Sequence, residues 1–330
     1  MAEANGGTLS SWEVVAPDEG EDEGLSIDAA VFGEGKRVLV LSSGLHGVEG
    51  FAGSAIQLQM IQQGLPKDIR VVMLHVLNPY GMARIRRVNE NNVDLNRNFL
   101  SPDEPYSGSS TEYQRLNNLL NPSKPSGGFD FMLLRTVIQI IRYGYNTLKT
   151  AIVGGQYDFP KGLFFGGQNL QRGPQVLLNE LPALVGDAEK IIHIDFHTGL
   201  GKSGTYALLI DADAGSAEHL RLHETFGDRV QPWSADHGVA YKIRGGLPVA
   251  VTRLLGKRVD VITCEFGTIP GLKVLRALRS ENQSHHWGGQ TSATQEKLLA
   301  AFRPKRSSWE NAILRGGVHV IDQALNQLRT

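Results

Sequence analysis

The chain has 330 residues, 41% of them hydrophobic, with 33 basic against 34 acidic side chains and a formal net charge of −1. That is enough apolar chain for a large core in one domain or two, and too little field to steer nucleic acid or an anionic membrane to the surface, so neither is expected as a partner. The single cysteine, Cys264, excludes an internal disulfide and fits a reducing compartment. Residues 1–24 lack a basic start and an apolar stretch and carry Asp18-Glu19-Gly20-Glu21-Asp22-Glu23. They read as a flexible acidic lead-in and not as a secretory signal, and a cytoplasmic protein is expected, with residues 25–330 as one domain.

The apolar residues Val38 to Leu41 predict a strand over 37–42 that enters a glycine-punctuated turn carrying His46 and Glu49. An imidazole and a carboxylate three residues apart at a strand end have metal-ligand spacing, provided a third ligand arrives from elsewhere. A helix is expected over 52–63 and a second strand over 70–77. Asn78-Pro79-Tyr80-Gly81, then Arg84, Arg86 and Arg87, lead into the polar run from Asn89 to Phe99. In that run Asn96 and Arg97 suit an anionic substrate end, because a guanidinium grips a carboxylate bidentately and the neighbouring amide adds a donor.

Pro102, Pro105, Pro122 and Pro125 mark a loop-rich excursion around a short helix near 111–120. Leu134, Val137, Ile138, Ile141, Tyr145, Leu148 and Ile152 keep helical spacing across 129–153, interrupted by Arg135, Arg142 and Lys149. That pattern predicts an amphipathic helix covering the site or a dimer surface, and not a membrane span. The excursion as a whole runs from about residue 101 to 156.

A strand over 189–196 then meets a glycine turn at His197, the candidate third ligand. Two histidines and one carboxylate leave the fourth position of a tetrahedral zinc open, which is the catalytic rather than the structural arrangement. Gly199-Leu200-Gly201-Lys202-Ser203-Gly204 matches GxGxxG, but a strand over 205–210 follows where a dinucleotide site needs a helix. His219 and His223 stand four apart, with Leu220 where HExxH has its glutamate, and read as a solvated helix face. His75, His193, His237, His285, His286 and His319 read as structural or surface residues. The last strand, over 259–266, ends at Glu265; a solvated strand terminus is the plain alternative to a functional role there. No GxSxG supports a serine nucleophile. Strands alternating with helix-length segments predict an α/β layered domain with its site at strand ends.

HxxE, an Arg shortly before DLNRNF, a distant His and a late Glu occur here in that order, and in this the chain resembles the zinc carboxypeptidase superfamily over roughly residues 36–270. HGVEG, NPYG, DLNRNF and DFHTGLG look closest to an uncharacterised branch of it related to aspartoacylase and succinylglutamate desuccinylase. The resemblance implies a three-layer α/β/α fold with a mixed, mostly parallel central sheet, and one zinc ion on His46, Glu49 and His197. It implies that Glu265 is the general base, and that Arg87, nine residues before Asn96, polarises the scissile carbonyl. Asn96 and Arg97 would hold the substrate carboxylate. Tyr241 would be a mobile phenol over the substrate, although the GGLPVA stretch after it departs from the family pattern, and a buried, hydrogen-bonded tyrosine is the competing reading.

The implied activity is zinc-dependent hydrolysis of an amide bond adjacent to a carboxylate, on a small peptide or an N-acyl amino acid. One alternative is a deacylase resembling aspartoacylase. Another, from a different class, is a non-catalytic metal- or peptide-binding module, against which the presence of Glu265 argues. The sequence leaves the oligomeric state open, a homo-oligomer included.

Overall fold

Eight strands are β1 (Thr8–Val15), β2 (Leu25–Phe32), β3 (Arg37–Ser43), β4 (Arg70–His75), β5 (Lys190–Thr198), β6 (Tyr206–Ile210), β7 (Val230–Pro232) and β8 (Val259–Phe266). They belong to a computed structural model that describes residues 1–16, 24–126, 138, 142–233 and 243–330. The sheet order is β1-β2-β4-β3-β5-β8-β6-β7. Its centre, β4-β3-β5-β8, is parallel, and β1, β2 and β6 pair antiparallel with their inner neighbours. The near-continuous apolar runs of the central strands suit burial on both faces.

The described helices are α1 (Gly50–Gln63), α2 (Pro79–Ala83), α3 (Thr111–Leu120), α4 (Tyr145–Val153), α5 (Arg172–Val185), α6 (Ala217–Phe226), α7 (Leu247–Leu255), α8 (Gly271–Trp287), α9 (Thr291–Phe302) and α10 (Ser307–Arg329). Strand side chains alternate in direction, so Leu39, Leu41, Ile192, Ile194 and Ile262 pack on one face with Ile56 and Met60 of α1 and Val320 and Ile321 of α10. Val38, Val40, Ile191, Val259 and Val261 pack on the other with Leu177 and Leu181 of α5 and Ala250 and Val251 of α7. The result is the expected three-layer α/β/α arrangement around a mixed sheet.

From β3 the chain moves to β4 on one side, and later returns to β5 on the other. The carboxyl ends of β3 and β5 therefore border a topological switch point, where open α/β sheets leave a crevice. The strands expected over 37–42, 70–77, 189–196, 205–210 and 259–266 are β3, β4, β5, β6 and β8. The helix expected over 52–63 is α1, and that near 111–120 is α3, capped by Ser110, whose side chain accepts from the Tyr113 amide.

Two expectations need correction. The lead-in over 1–24 is, from Thr8 to Val15, an edge strand registered on β2 with Trp12 opposite Ile27. Trp12 and Val14 turn towards the core while the intervening residues stay solvated, so half of the strand is polar and its apolar signal is weak. The continuous helix over 129–153 breaks at Gly144, whose φ of 82° is open to glycine and strained for other residues. Most of that helix's first half, residues 129–137 and 139–141, lies outside the described residues. No helix among the described residues is long and apolar enough to cross a membrane.

Candidate active site

On the face of the sheet covered by α5 and α7, the inward positions change from aliphatic to polar as the strands approach their carboxyl ends. Ile191 gives way to His193, Asp195 and His197 on β5, and Val259 and Val261 to Thr263 and Glu265 on β8. The parallel register pairs His197 with Glu265 directly, so the two side chains emerge side by side. His46 and Glu49 reach the same place from the short turn Gly47–Glu49 that joins β3 to α1.

That turn needs its glycine. A methyl group on Gly47 would overlap the Gly81 carbonyl carbon and the Met82 amide, so the loop after β3 and helix α2 touch backbone to backbone. The Gly47 and Val48 amides donate to the carbonyls of Arg87 and Arg86, which binds the turn to the arginine segment.

His46, Glu49 and His197, all buried, offer ligand atoms that lie within 4.8 Å of one another. His46 Nδ1 is 3.0 Å from Glu49 Oε1, His197 Nδ1 is 3.1 Å from Glu49 Oε2, and the two Nδ1 atoms are 3.2 Å apart. Each ring points Nδ1 inward and turns Nε2 to a buried carboxylate, His46 to Asp94 at 3.1 Å and His197 to Asp195 at 2.5 Å. Carboxylates behind imidazoles in this way fix ring orientation and the inward nitrogen's lone pair, which is the outer support that a metal site requires. The donor set, two nitrogens and one carboxylate, fits zinc with a position left open.

Behind His197 the polar chain continues inward. Ser42 Oγ donates to Asp195 Oδ1 at 2.6 Å and lies 2.8 Å from His193 Nε2. Burial pushes His193 down to about 4, so it is a neutral end to the chain. It is structural, as its sequence suggested.

The charges of the cluster support one another. Burial alone would raise the Glu49 carboxyl, but His46, His197 and Arg87 outweigh it and hold the group far below the usual carboxylate range. Asp94 is likewise held well below it, burial being overcome by Arg87, Arg97 and His46. Burial also disfavours charge on His197, and Asp195 and Glu49 overcome it and raise that imidazole well above its ordinary value. A metal held there would have to displace this proton. Glu265 goes the other way, since burial and then the Glu49 charge push it up to about 7. Its Oε1 accepts from the Leu200 amide at 2.8 Å, which aims the carboxyl across the end of β5.

Arg87 lies against the ligand set. Its Nη1 donates to Glu49 at 2.8 Å, Nε to Asp94 at 3.0 Å, and Nη2 lies 2.7 Å from His46 Nε2, with the guanidinium over the Phe164 ring. Arg86, by contrast, faces away from the ligands and forms a buried pair with Glu281 of α8 at 2.7 Å. The preference for Arg87 over Arg86 agrees with this placement.

A cavity of about 140 Å³ opens over the cluster. His46, Glu49, Arg87, Asn96, His197 and Glu265 form its polar end, and leucines, isoleucine, valine and phenylalanine of α3, α4, α8 and α9 form most of the rest of its wall. Asn96 reaches it while its Oδ1 accepts from the Leu247 amide at 3.0 Å.

Arg97 does not line the cavity. It is fully buried, with Nε donating to the Val153 carbonyl at 3.0 Å and Nη1 to the Asn96 carbonyl at 2.9 Å. The guanidinium fork that suits a substrate carboxylate is here given to backbone oxygens, and it fastens the end of α4 to the site loop. Arg97→Met is accordingly expected to lower folding stability by on the order of 3 kcal/mol, since it strands buried acceptors and weakens the field on Asp94. Urea denaturation of the variant checks this; unchanged stability with a raised KM would restore Arg97 as a substrate clamp.

Tyr241 and His237 lie outside the described residues. His219 and His223 sit on the outer side of α6, one accepting from the Gly215 amide and the other beside Asp228, as a solvated face would have them. The Gly199–Gly204 stretch is a turn between β5 and β6, with no helix to hold a phosphate. Sequence reasoning missed the supporting pair Asp94 and Asp195. For Asp195 the signal was present, since it precedes His197 by two residues on a strand and therefore shares its face.

No curated protein matches the chain. Among solved structures it is similar to carboxypeptidase A from Helicoverpa armigera, with TM-score 0.50 and 18% identity over 92% of this chain and 71% of the other, and the two share a fold. Succinylglutamate desuccinylase/aspartoacylase from Rhodobacter sphaeroides matches at 0.42 and 17%, over 86% of this chain and 66% of that one. Murein-tripeptide amidase MpaA from Escherichia coli O157 matches at 0.42 and 16%, over 92% and 97%. A family model described as protein of unknown function (DUF2817) matches residues 1–316, and the chain belongs to that family.

Proposed function

We propose that this protein is a metal-dependent hydrolase that cleaves an amide bond adjacent to a carboxylate, with one zinc ion on His46, Glu49 and His197. The observation that carries the reading is the convergence of those three donors beside Glu265, a buried carboxyl outside the set that lines the same cavity. A carboxylate so placed is within reach of a water in the cavity and can act as general base or acid. Zinc held there would polarise the scissile carbonyl and lower the pKa of water towards neutrality. Glu265 takes the proton from the attacking water and returns it to the leaving amine. A module that only binds metal or peptide has no use for such a group, which disfavours the non-catalytic alternative.

Arg87 is assigned to the developing oxyanion. His46 Nε2 now faces both Asp94 Oδ1 and Arg87 Nη2, and the two ask for opposite tautomers, because a carboxylate requires an N–H and a guanidinium requires a lone pair. With Nδ1 kept for a cation, Nε2 would hold the proton and donate to Asp94. Arg87 Nη2 would then be the donor left to the cavity, which Arg87 lines and where charge develops during the reaction.

Burial of Arg97 takes the expected clamp away from a peptide's C-terminal carboxylate and from that of an N-acyl amino acid alike, so peptidase and deacylase are separated by assay. The buried free thiol of Cys264 is compatible with a cytoplasmic location. Assay of the zinc-loaded protein on N-acyl amino acids and C-terminal peptides, with and without a chelator, tests the reading; absence of chelator-sensitive amide hydrolysis would overturn it. Asp195→Asn should weaken metal affinity about 10- to 100-fold with the fold retained, the loss typical for a partner of a ligating histidine. Competition with a chelating dye measures this directly.

A further inference from the structure

The cavity over the cluster has two unlike halves. Its polar end is the donor set with Glu265 and Arg87, and away from it the wall includes Leu119 and Leu120 of α3, Leu148 and Ile152 of α4, Leu275 of α8 and Phe164. Leu120, Leu148 and Phe164 are buried in the core, while Leu119, Ile152 and Leu275 are partly buried hydrophobics packed against it. Two of the three helices come from the excursion, which Arg97 fastens at Val153.

Half-buried Lys149 of α4 also lines the cavity, but the apolar stretch around it gives an ion or an amide nothing to replace its hydration, and burying such a group without partners is unfavourable. Water is held poorly there for the same reason, and an apolar group is held well. The whole cavity, its polar end included, measures about 140 Å³, and an aliphatic-lined cavity of roughly 150 Å³ takes up benzene, so a phenyl ring is the upper bound on what the arm holds.

From this we infer that the substrate carries, beside the scissile amide, an apolar group no larger than a phenyl ring or a six-carbon chain, which the excursion helices and α8 select. The inference rests on the hydrolase reading above, and concerns which amides that site accepts. On a constant glycine scaffold, hexanoylglycine and benzoylglycine are the favoured substrates and acetylglycine the poor one.

The experiment compares kcat/KM of the zinc-loaded full chain on those three compounds. The expected ratio of hexanoyl or benzoyl to acetyl is on the order of 10². Leu275→Asp brings charge to the wall and should reduce that ratio towards one. Leu119→Trp fills the arm without adding charge and should do the same, so a folding defect in one variant does not decide the matter. Equal turnover of acetylglycine and hexanoylglycine by the wild type overturns the inference and leaves amide hydrolysis standing. If no amide is hydrolysed, the hydrolase reading fails instead, and calorimetric binding of hexanoylglycine and acetylglycine decides the cavity: tighter hexanoyl binding supports it, equal binding overturns it.

Discussion

Glu265→Gln should lower turnover by about 10² to 10⁴, the usual worth of a positioned proton-transfer group, while metal content and fold stay as in the wild type. The amide keeps the size of the side chain, and its oxygen can still accept from the Leu200 amide, so the loss isolates the proton. Activity, metal content and thermal midpoint are measured on one preparation. Activity within about threefold of wild type, far inside that range, would remove Glu265 as the base; loss of metal with activity would make it a ligand.

The metal-free protein tests the raised carboxyl separately. A folded-state pKa of about 7 lies above the ordinary 4.5, so within that window the folded chain keeps a proton that the unfolded chain has released. The contribution to stability is therefore present at acid pH and is lost as pH rises from about 4.5 to about 7. Wild type should weaken relative to Glu265→Gln across that interval, and parallel unfolding curves would argue against the shift.

His46→Ala and His197→Ala should each reduce bound metal from about one ion per chain to near zero. Activity should fall by about 10³ or more, because the several kcal/mol of charge stabilisation that a metal supplies is lost whole. Each change also leaves a buried aspartate without its imidazole, so elemental analysis is paired with circular dichroism. Folded protein that retains full metal in both variants would sink the three-ligand assignment.

The convergence of His46, Glu49 and His197 was legible in the sequence because each sits where a continuous apolar run meets a glycine turn, and strand ends in parallel sheets are where side chains leave the core. Glu265 was legible for the same reason. β1 and β2 were not, since β1 is the edge strand and β2 its neighbour, both are partly solvated, and Ser10, Ser11 and Asp28 dilute their alternation. The internal bonds of Arg97 were not legible, because a carboxylate and a pair of backbone carbonyls ask for the same donors, and only the fold decides which is within reach. The apolar arm was legible only in part: the helical spacing of Leu148 and Ile152 predicted an apolar face over the site or a dimer surface, whereas Leu119, Leu120 and Leu275 come from α3 and α8, and nothing in those segments points to it.

The backbone contact between Gly47 and Gly81 has a consequence for how such a site can vary. The first glycine belongs to the turn that presents His46 and Glu49 and has no room for a side chain against Gly81 and Met82; the second belongs to the helix before the arginines and has none against Asn78, Arg86 and Val88. Change at position 47 is therefore answerable to residues 81 and 82, and a graft of the ligand turn into a different scaffold would have to carry residues 78–88 along with it.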